Sequence, residues 1–546
     1  MDSQTNKYRL LFLTVNCSFS HSSLALPLLH NACRELDSWE WVRCDTTNTG
    51  NVLATVQAVC DARCDLVVAD LYLFNRQMTL DILQRYHAID PACRIAVGGP
   101  ECLGEGAAEL LKDFPWLDCV FRGEGEEEFR NYLANFTENA SRTHYILPAD
   151  GCGVYENWAA SPYPATSEFF VTDKPFVQIE TSRGCPMKCF YCTSGNTRTR
   201  YRSLEQVAGE LQLLSAKGVK EIRVLDRTFN LPQKRGAELL RMFREDFPHI
   251  KFHLELHPQF LDEAMRRELE QALPGQLHIE VGVQCLDKNV QDLSGRCSDR
   301  QAVLDGLAFL CCRQAFATHA DLLAGMPGQK LEHILADTAD LMKLGVAEIQ
   351  LEVLKVLPGT PLRKIAETHG IKYSRQTPYD VMMSNTMSLS NIETARALSR
   401  LLDLTYNNHF LHQPVREMLA ELPETVSKLL EFFHQANGSS TVVWDLKKRF
   451  LFLNDFCINH QLVNSRKALA YQWLLAGFLP GQGPDIYSRK AADIPPEARL
   501  TSGNAECLHA RESRYWSFAL PGRLCYIAYN RQYNLNRPAA IWSIEL

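Results

Sequence analysis

At 546 residues the chain is long enough for two to four domains, each with its own core. Its 57 basic and 64 acidic residues leave a net charge of −7, which gives no sign of a nucleic-acid partner, and 46% apolar with 22% charged residues is ordinary for a water-soluble globular protein. Nineteen cysteines would suggest disulfides in a short secreted chain, but this one is long and opens on the polar Met1-Asp-Ser-Gln-Thr-Asn-Lys7, so reduced thiols and a cytoplasmic location with no membrane span are expected.

Residues 1–140 alternate strand and helix. Apolar β runs at 9–15, 39–43, 65–71, 94–98 and 118–121 are separated by amphipathic stretches at 24–35, 52–62, 77–87, 104–113 and 126–136. Five such units predict a doubly wound, Rossmann-like parallel sheet with a ligand crevice at the carboxyl ends of its strands. The loops at those ends carry Asn16 and His21, Tyr72, Val97-Gly98-Gly99-Pro100-Glu101, and Arg122-Gly123-Glu124-Gly125-Glu126. Their glycines let backbone approach a large ligand closely, although tight βα turns alone would also explain them.

Residues 141–172 are polar and punctuated by Pro and Gly, which reads as a linker with a short hairpin at 151–156. From 173 to 370 strand and helix alternate again, with strands expected at 176–180, 221–226, 251–256, 277–283, 317–323 and 348–356. Six βα units of this size suit a partial barrel with its chemistry at the strand ends. Directly after the first of them comes Glu180-Thr-Ser-Arg-Gly-Cys185-Pro-Met-Lys-Cys189-Phe-Tyr-Cys192, three cysteines in eight residues. A structural zinc wants four ligands, usually as two spaced pairs, and no second pair lies close in sequence. Three thiolates on one loop suit a [4Fe–4S] cluster with one iron left open.

The C-x3-C-x2-C spacing, with Tyr191 before the last cysteine, resembles the radical S-adenosylmethionine (radical SAM) superfamily. Together with V-G-G-P-E and R-G-E-G-E-x-x-F upstream, it resembles the branch that carries an N-terminal cobalamin-binding domain. The resemblance implies a [4Fe–4S] cluster on Cys185, Cys189 and Cys192, SAM chelated to the open iron, and a partial (β/α)6 barrel. It also implies a corrin lying over Asn16, His21, Tyr72, Gly98, Gly99, Pro100, Glu101, Gly123, Glu124 and Gly125. The D-x-H-x-x-G signature of many cobalamin domains is missing, so His21 is expected to touch the corrin or its tail and not to ligate cobalt. Tyr191, Asp226, Glu255, Glu280 and Gln284 are the SAM-side candidates, since Asp226-Arg-Thr-Phe-Asn230, Glu280-Val-Gly-Val-Gln284 and Asp321-Leu-Leu-Ala-Gly325-Met-Pro-Gly328 match strand-end signatures of the family. For each carboxylate taken alone, a salt bridge or helix cap is the commoner role.

Residues 371–546 change character: helices are expected at 391–408, 414–422 and 425–435, then strand-like runs at 515–520 and 524–529, giving a helical and α+β domain. The vicinal Cys311-Cys312 pair falls in a helical run at 303–314, and no further compact cysteine triplet suggests a second cluster. The expected function is a cobalamin-dependent radical SAM methyltransferase acting at an unactivated carbon through a 5′-deoxyadenosyl radical and methylcobalamin. Its partners would be a small-molecule or peptide substrate and an external electron donor such as flavodoxin or ferredoxin. A non-methylating radical reaction, such as cyclisation or rearrangement, or a cobalamin-binding accessory protein, are the alternatives.

Overall fold

The computed structural model describes residues 7–137, 144–313 and 315–478, and toward the end of the chain 482–484, 489–491, 494–502, 514–520, 523–529 and 540–545. Two compact units emerge: Met1–Ala317 with Gly325–Gln329 and Val353–Ser388, and Thr318–Ala324 with Lys330–Glu352 and Leu389–Leu546.

The first unit begins with strands β1 (Tyr8–Asn16), β2 (Trp39–Thr47), β3 (Leu66–Asp70), β4 (Arg94–Gly98), β5 (Cys119–Phe121) and β6 (Tyr145–Leu147). They form one sheet in the order β2-β1-β3-β4-β5-β6, every pair parallel. Helices α1 (Ala25–Ala32), α2 (Val52–Ala62), α3 (Arg76–Ile89), α4 (Gly106–Asp113) and α5 (Glu126–Ala134) link the strands. Successive β1 residues point to opposite faces: Leu11, Leu13 and Val15 join one core, Leu10 and Phe12 the other. Burial on both faces is why the inner strands β1, β3 and β4 read as near-continuous apolar runs. The order reverses between β1 and β3, so the loops after those two strands flank the crevice where such sheets bind ligands.

Two expectations fail locally. Residues 145–147, within the stretch read as linker, supply the sixth strand; three residues are too few to register as a periodic run. No hairpin forms at 151–156, because Gly153 pairs instead with the loop after β5, its N–H donating to Arg122 O (2.8 Å) and its carbonyl accepting from Glu124 N (3.0 Å).

The unit continues with β7 (Val177–Ile179), the short antiparallel pair β8 (Ser182–Arg183) and β9 (Arg200–Tyr201), and α6 (Leu204–Ala216). Then come β10 (Glu221–Val224), α7 (Gln233–Asp246), β11 (Lys251–Leu256), α8 (Glu263–Glu270), β12 (Leu277–Gln284), α9 (Lys288–Leu293) and α10 (Arg300–Cys311). Within this unit β7, β10, β11 and β12 pair in parallel in that order. Ser203 caps α6 through a reciprocal box with Gln206, as its position ahead of the apolar run requires.

The second unit holds β13 (Ala317–Ala324), α11 (Leu331–Leu344) and β14 (Glu348–Val353), completing six strands that alternate with helices. Residues 353–388 return to the first unit and contain α12 (Pro361–Ile365) and the two-stranded β15 (Lys372–Tyr373) and β16 (Val381–Met383). Five helices follow in the second unit: α13 (Leu389–Leu404), α14 (His412–Glu421), α15 (Thr425–Gln435), α16 (Leu446–Asn459) and α17 (Val463–Leu475). The last two went unread in the sequence; buried Phe450, Phe452, Leu453, Phe456 and Cys457 spread around α16 and leave no single apolar stripe. The chain ends in an antiparallel sheet ordered β17-β19-β20-β21-β18, from β17 (Arg489–Ala491), β18 (Arg499–Ser502), β19 (Arg514–Leu520), β20 (Arg523–Tyr529) and β21 (Ala540–Glu545). Asn407 covers the edge of β14, accepting from Ile349 N and donating to Ile349 O, each at 2.9 Å. Among the described residues no helix is long and apolar enough to cross a membrane.

Candidate active site

One cavity of about 820 Å3 lies in the first unit, near the upper end of the range for ligand pockets. The loops after β1, β3, β4 and β5 line it with Asn16, His21, Tyr72, Gly98, Gly99, Pro100, Gly123, Glu124 and Gly125. The cysteine loop and its flanks line it too, through Glu180, Arg183, Gly184, Thr193 and Ser194, joined by Arg227 from the loop after β10. Folding thus brings two stretches some sixty residues apart to one space.

Gly123 shows how closely backbone meets backbone at the rim. Its φ is +100°, and a Cβ there would lie 2.5 Å from Gly153 N, so only glycine is accommodated. Glu101 is the one corrin-side candidate that does not line the cavity. It is buried and its carboxylate accepts from the Tyr379 hydroxyl (2.6 Å) and lies 3.4 Å from Arg76 Nε. His21 keeps Nδ1 against Ser18 Oγ (2.8 Å) and sets its ring edge-on to Phe176, with centroids 5.0 Å apart. Burial, and then the Arg223 charge, push its imidazole below the usual range, so it faces the cavity neutral.

Asp70 ends β3 inside the same cavity, accepting from Ser23 Oγ (2.6 Å) and from Asn75 Nδ2 (3.3 Å). Burial pushes its carboxyl up to about 6, more than these hydrogen bonds pull it down. A raised folded-state pKa means stability that is complete below about pH 4 and lost as pH rises through 6. Asp70→Asn removes that loss. Relative to the parent it is expected to be about 1.4 kcal/mol more favourable at pH 8 than at pH 5, within a full span of ~3 kcal/mol. Urea midpoints at the two pH values check this; equal differences at both would refute it.

The cysteine loop is held from several sides. Cys185 and Cys189 are buried and Cys192 half-buried. Cys185 N donates to Thr197 Oγ1 (2.9 Å), Thr197 N to Cys185 O (3.0 Å) and Asn196 N to Met187 O (2.6 Å), closing the loop on itself. Cys185 Sγ lies 3.6 Å from Thr228 Oγ1, and Cys189 Sγ accepts from Arg296 Nη1 at 3.7 Å. Burial raises the Cys192 thiol above its ordinary value. Among the described residues no three Cys, His, Asp or Glu side chains converge on a point that a single ion would occupy. Three thiols on one short loop have the donor chemistry of a cluster, which takes one sulfur at each of three irons.

The SAM-side candidates separate. Asp226 is buried and braces the entry to the cysteine loop: Oδ1 accepts from Thr181 N (2.7 Å) and Ser182 N (2.9 Å), and Oδ2 from Thr181 Oγ1 (2.5 Å). Burial still raises its carboxyl above the usual range. Tyr191 is half-buried within the loop, and burial raises its hydroxyl well above the usual range. Glu255 and Glu280 are direct neighbours across β11 and β12, on the half-buried face of both strands. The Glu280 carboxylate lies 3.0 Å from His253 Nε2, while burial, followed by the Glu280 charge against the opposing pull of Arg227, raises Glu255. Gln284 closes β12 at φ +67°, a left-handed conformation uncommon outside glycine and frequent at functional sites. None of these five lines the cavity described above.

Sequence reasoning passed over the arginines. Arg183 donates from Nη1 to Glu126 (2.7 Å) and Glu124 (3.4 Å) and from Nε to Glu180 (2.8 Å). Arg200 pairs with Glu124 and donates to Tyr155 O (2.6 Å). These contacts join the loop after β5 to the strands that bracket the cysteines. The one available signal was the excess of acidic residues in R-G-E-G-E, which asked for cations to meet it.

Comparison with known proteins bears on the family and the fold. The sequence model of the Radical SAM superfamily matches residues 179–341, and residues 367–490 match a family described as a protein of unknown function (DUF4080). The "Uncharacterized methyltransferase PH0819" of Pyrococcus horikoshii is 24% identical over 59% of this chain and 73% of its own length. The "Ribosomal protein uS12 methylthiotransferase RimO" of Acetivibrio thermocellus is 22% identical over 40% of this chain and half of its own. Among solved structures, the radical SAM methyltransferase TsrM from Kitasatospora setae, with cobalamin and a [4Fe–4S] cluster bound, superposes with a TM-score of 0.55 and 17% identity, over 71% of this chain and 85% of that one. The cobalamin-dependent SAM radical enzyme OxsB, with aqua-cobalamin and SAM bound, gives a TM-score of 0.58 and 13% identity, over 86% and 79%. The fold is therefore that of a Rossmann-like domain followed by a partial (β/α)6 barrel and a helical C-terminal region.

Proposed function

We propose, for a chain that carries a radical SAM domain in the fold of the cobalamin-dependent radical SAM enzymes, methyl transfer to an unactivated carbon of a small-molecule or peptide substrate. The chain is an enzyme whose cofactors are a [4Fe–4S] cluster, SAM and cobalamin. The observation that carries the methyl-transfer reading is the shared cavity: the loops expected to meet the corrin and the loop bearing the three cysteines line the same space.

In this reading Cys185, Cys189 and Cys192 hold the cluster, and Tyr191, Glu255, Glu280 and Gln284 face SAM. Asn16, His21, Tyr72 and the glycines of the β4 and β5 loops receive the corrin. The chemistry supplied when the cofactors are bound is one-electron cleavage of SAM to a 5′-deoxyadenosyl radical and delivery of a methyl group. The protein's own residues position and shield. Asp226 fixes the start of the cysteine loop, Arg183 ties that loop to the corrin side, and neutral His21 meets the ligand without adding charge. The electron comes from a low-potential donor of the flavodoxin or ferredoxin kind, in the cytoplasm. The resemblance of TsrM and of the Pyrococcus protein, both described as methyltransferases, supports methylation over other radical outcomes.

Anaerobic reconstitution with iron, sulfide and cobalamin, then reduction in the presence of SAM, tests the reading. Bound cobalamin with both 5′-deoxyadenosine and S-adenosylhomocysteine formed is the expected result. Deoxyadenosine without S-adenosylhomocysteine would replace methylation by another radical reaction. Failure to bind cobalamin would overturn the assignment of the N-terminal loops.

A further inference from the structure

The sequence Ser294-Gly295-Arg296 leaves α9 in a tight turn that packs on the backbone of the cysteine loop. Phe190 N donates to Ser294 O at 2.8 Å. Gly295 sits at φ +69°, and a Cβ there would come within 2.3 Å of Lys188 O, so the approach needs glycine. The turn delivers Arg296 into the interior, where only 7% of the residue remains exposed. Its Nη2 donates to Gly282 O and its Nη1 to Cys189 Sγ at 3.7 Å, while its buried Nε–H meets no acceptor among the described residues.

A guanidinium removed from water costs several kcal/mol unless a negative charge answers it. Cys189 is the neighbour that can answer with negative charge, since burial keeps the Tyr191 hydroxyl protonated. A neutral thiol answers a cation poorly, whereas a thiolate bound to iron answers it well. The neighbouring imidazole does not compete, since burial and then the Arg296 charge push His257 down to about 3.

We infer that Arg296 is a positioning residue that sets the reduction potential of the cluster, by donating an N–H bond to the sulfur of Cys189. The inference rests on the cluster assignment above. Reduction adds one electron, taken from a low-potential one-electron donor, with no bond broken and no proton moved. The reduced cluster is the more negative state, and a buried cation bonded to a ligand sulfur favours it. The midpoint is therefore raised, and a wider range of donors can load the cluster.

The test is a mediated redox titration of the reconstituted protein without SAM, followed by electron paramagnetic resonance. It compares the parent with Arg296→Met, which keeps bulk and loses charge, and with Arg296→Lys. Iron and sulfide content is measured on each. At a fixed solution potential the Met variant is expected to hold at least tenfold less reduced relative to oxidised cluster, a midpoint lowered by about 59 mV for a one-electron couple. The Lys variant is expected to fall between. A loaded Met variant with an unmoved midpoint overturns the inference and leaves the cluster assignment standing. A parent protein that takes up no iron and sulfide overturns both. Should the Met variant fail to assemble, the parent labelled with 15N-arginine decides: a 15N coupling to the reduced cluster supports the inference, and its absence overturns it.

Discussion

The Cys185→Ala, Cys189→Ala, Cys192→Ala variant is expected to take up no iron–sulfur cluster and to form 5′-deoxyadenosine at least ~10³-fold more slowly than the parent. That loss corresponds to about 4 kcal/mol or more of barrier. It follows from placement as much as from residue type. All three thiols ride on one loop closed by its own backbone bonds, and no other three ligand side chains among the described residues come together to replace them. Cys285, Cys311 and Cys312 are separate from this loop in sequence, with Cys311 in α10 and Cys312 capping it. The triple variant should remain folded, since Asp226 still braces Thr181 and Ser182 and the loop's own backbone bonds remain when the sulfur contacts to Thr228 and Arg296 are lost. It should also bind cobalamin, because the loops proposed to receive the corrin are built by the first sheet. Iron content, the visible spectrum and chromatography of the reduced reaction check all three expectations. Undiminished deoxyadenosine formation would sink the assignment of the cysteines.

A second large effect is expected at Arg183. Its side chain is only 10% exposed and meets three carboxylates, of which Glu126 is 6% exposed at the side chain. Removing one partner from a buried ionic cluster leaves uncompensated charge and typically costs ~3–5 kcal/mol. Arg183→Met should fall in that range, partly relieved by Arg200, which continues to pair with Glu124. Arg183→Lys should cost less but more than a surface change, because an ammonium cannot span Glu126, Glu124 and Glu180 in the planar fork that a guanidinium offers. Denaturant unfolding read separately from cobalamin affinity distinguishes two outcomes. A loss of both is the expected result for a residue that ties the loop after β5 to the cysteine loop. A variant as stable as the parent would show the network to be dispensable. Salt should change the Arg183–Glu126 pair little, since both side chains are shielded from solvent.

Much of this molecule was legible before any coordinates. The first five strands lie within four residues of their expected bounds: β1, β3, β4 and β5, buried along most of their length, announce themselves as apolar runs, while the largely uncovered edge strand β2 runs four residues past its expected end. Helix α2 matched its expected span at both ends, with Asn51 capping it through Ala54 N. What escaped had weak local signals. Strand β6 is three residues long, and α16 buries apolar side chains around more than one face.

The candidate site divides along the same line. Cysteine spacing is a local property, since a loop that offers several sulfurs to one cluster must carry them within a few residues, and so the sequence by itself determined the cluster motif and the alternating βα architecture. The partners of those residues come from far along the chain. Arg296 reaches Cys189 across 107 positions and Arg200 reaches Glu124 across 76. Asp226, which reads as a SAM ligand from its place at a strand end, spends its hydrogen bonds on Thr181 and Ser182 some 45 residues earlier. Charge pairing over such separations leaves no periodic trace, because any arginine can meet any carboxylate that folding carries to it. Only the tertiary structure decided which charges are buried together, and that the cysteine loop lines the same cavity as the loops after β1, β3, β4 and β5.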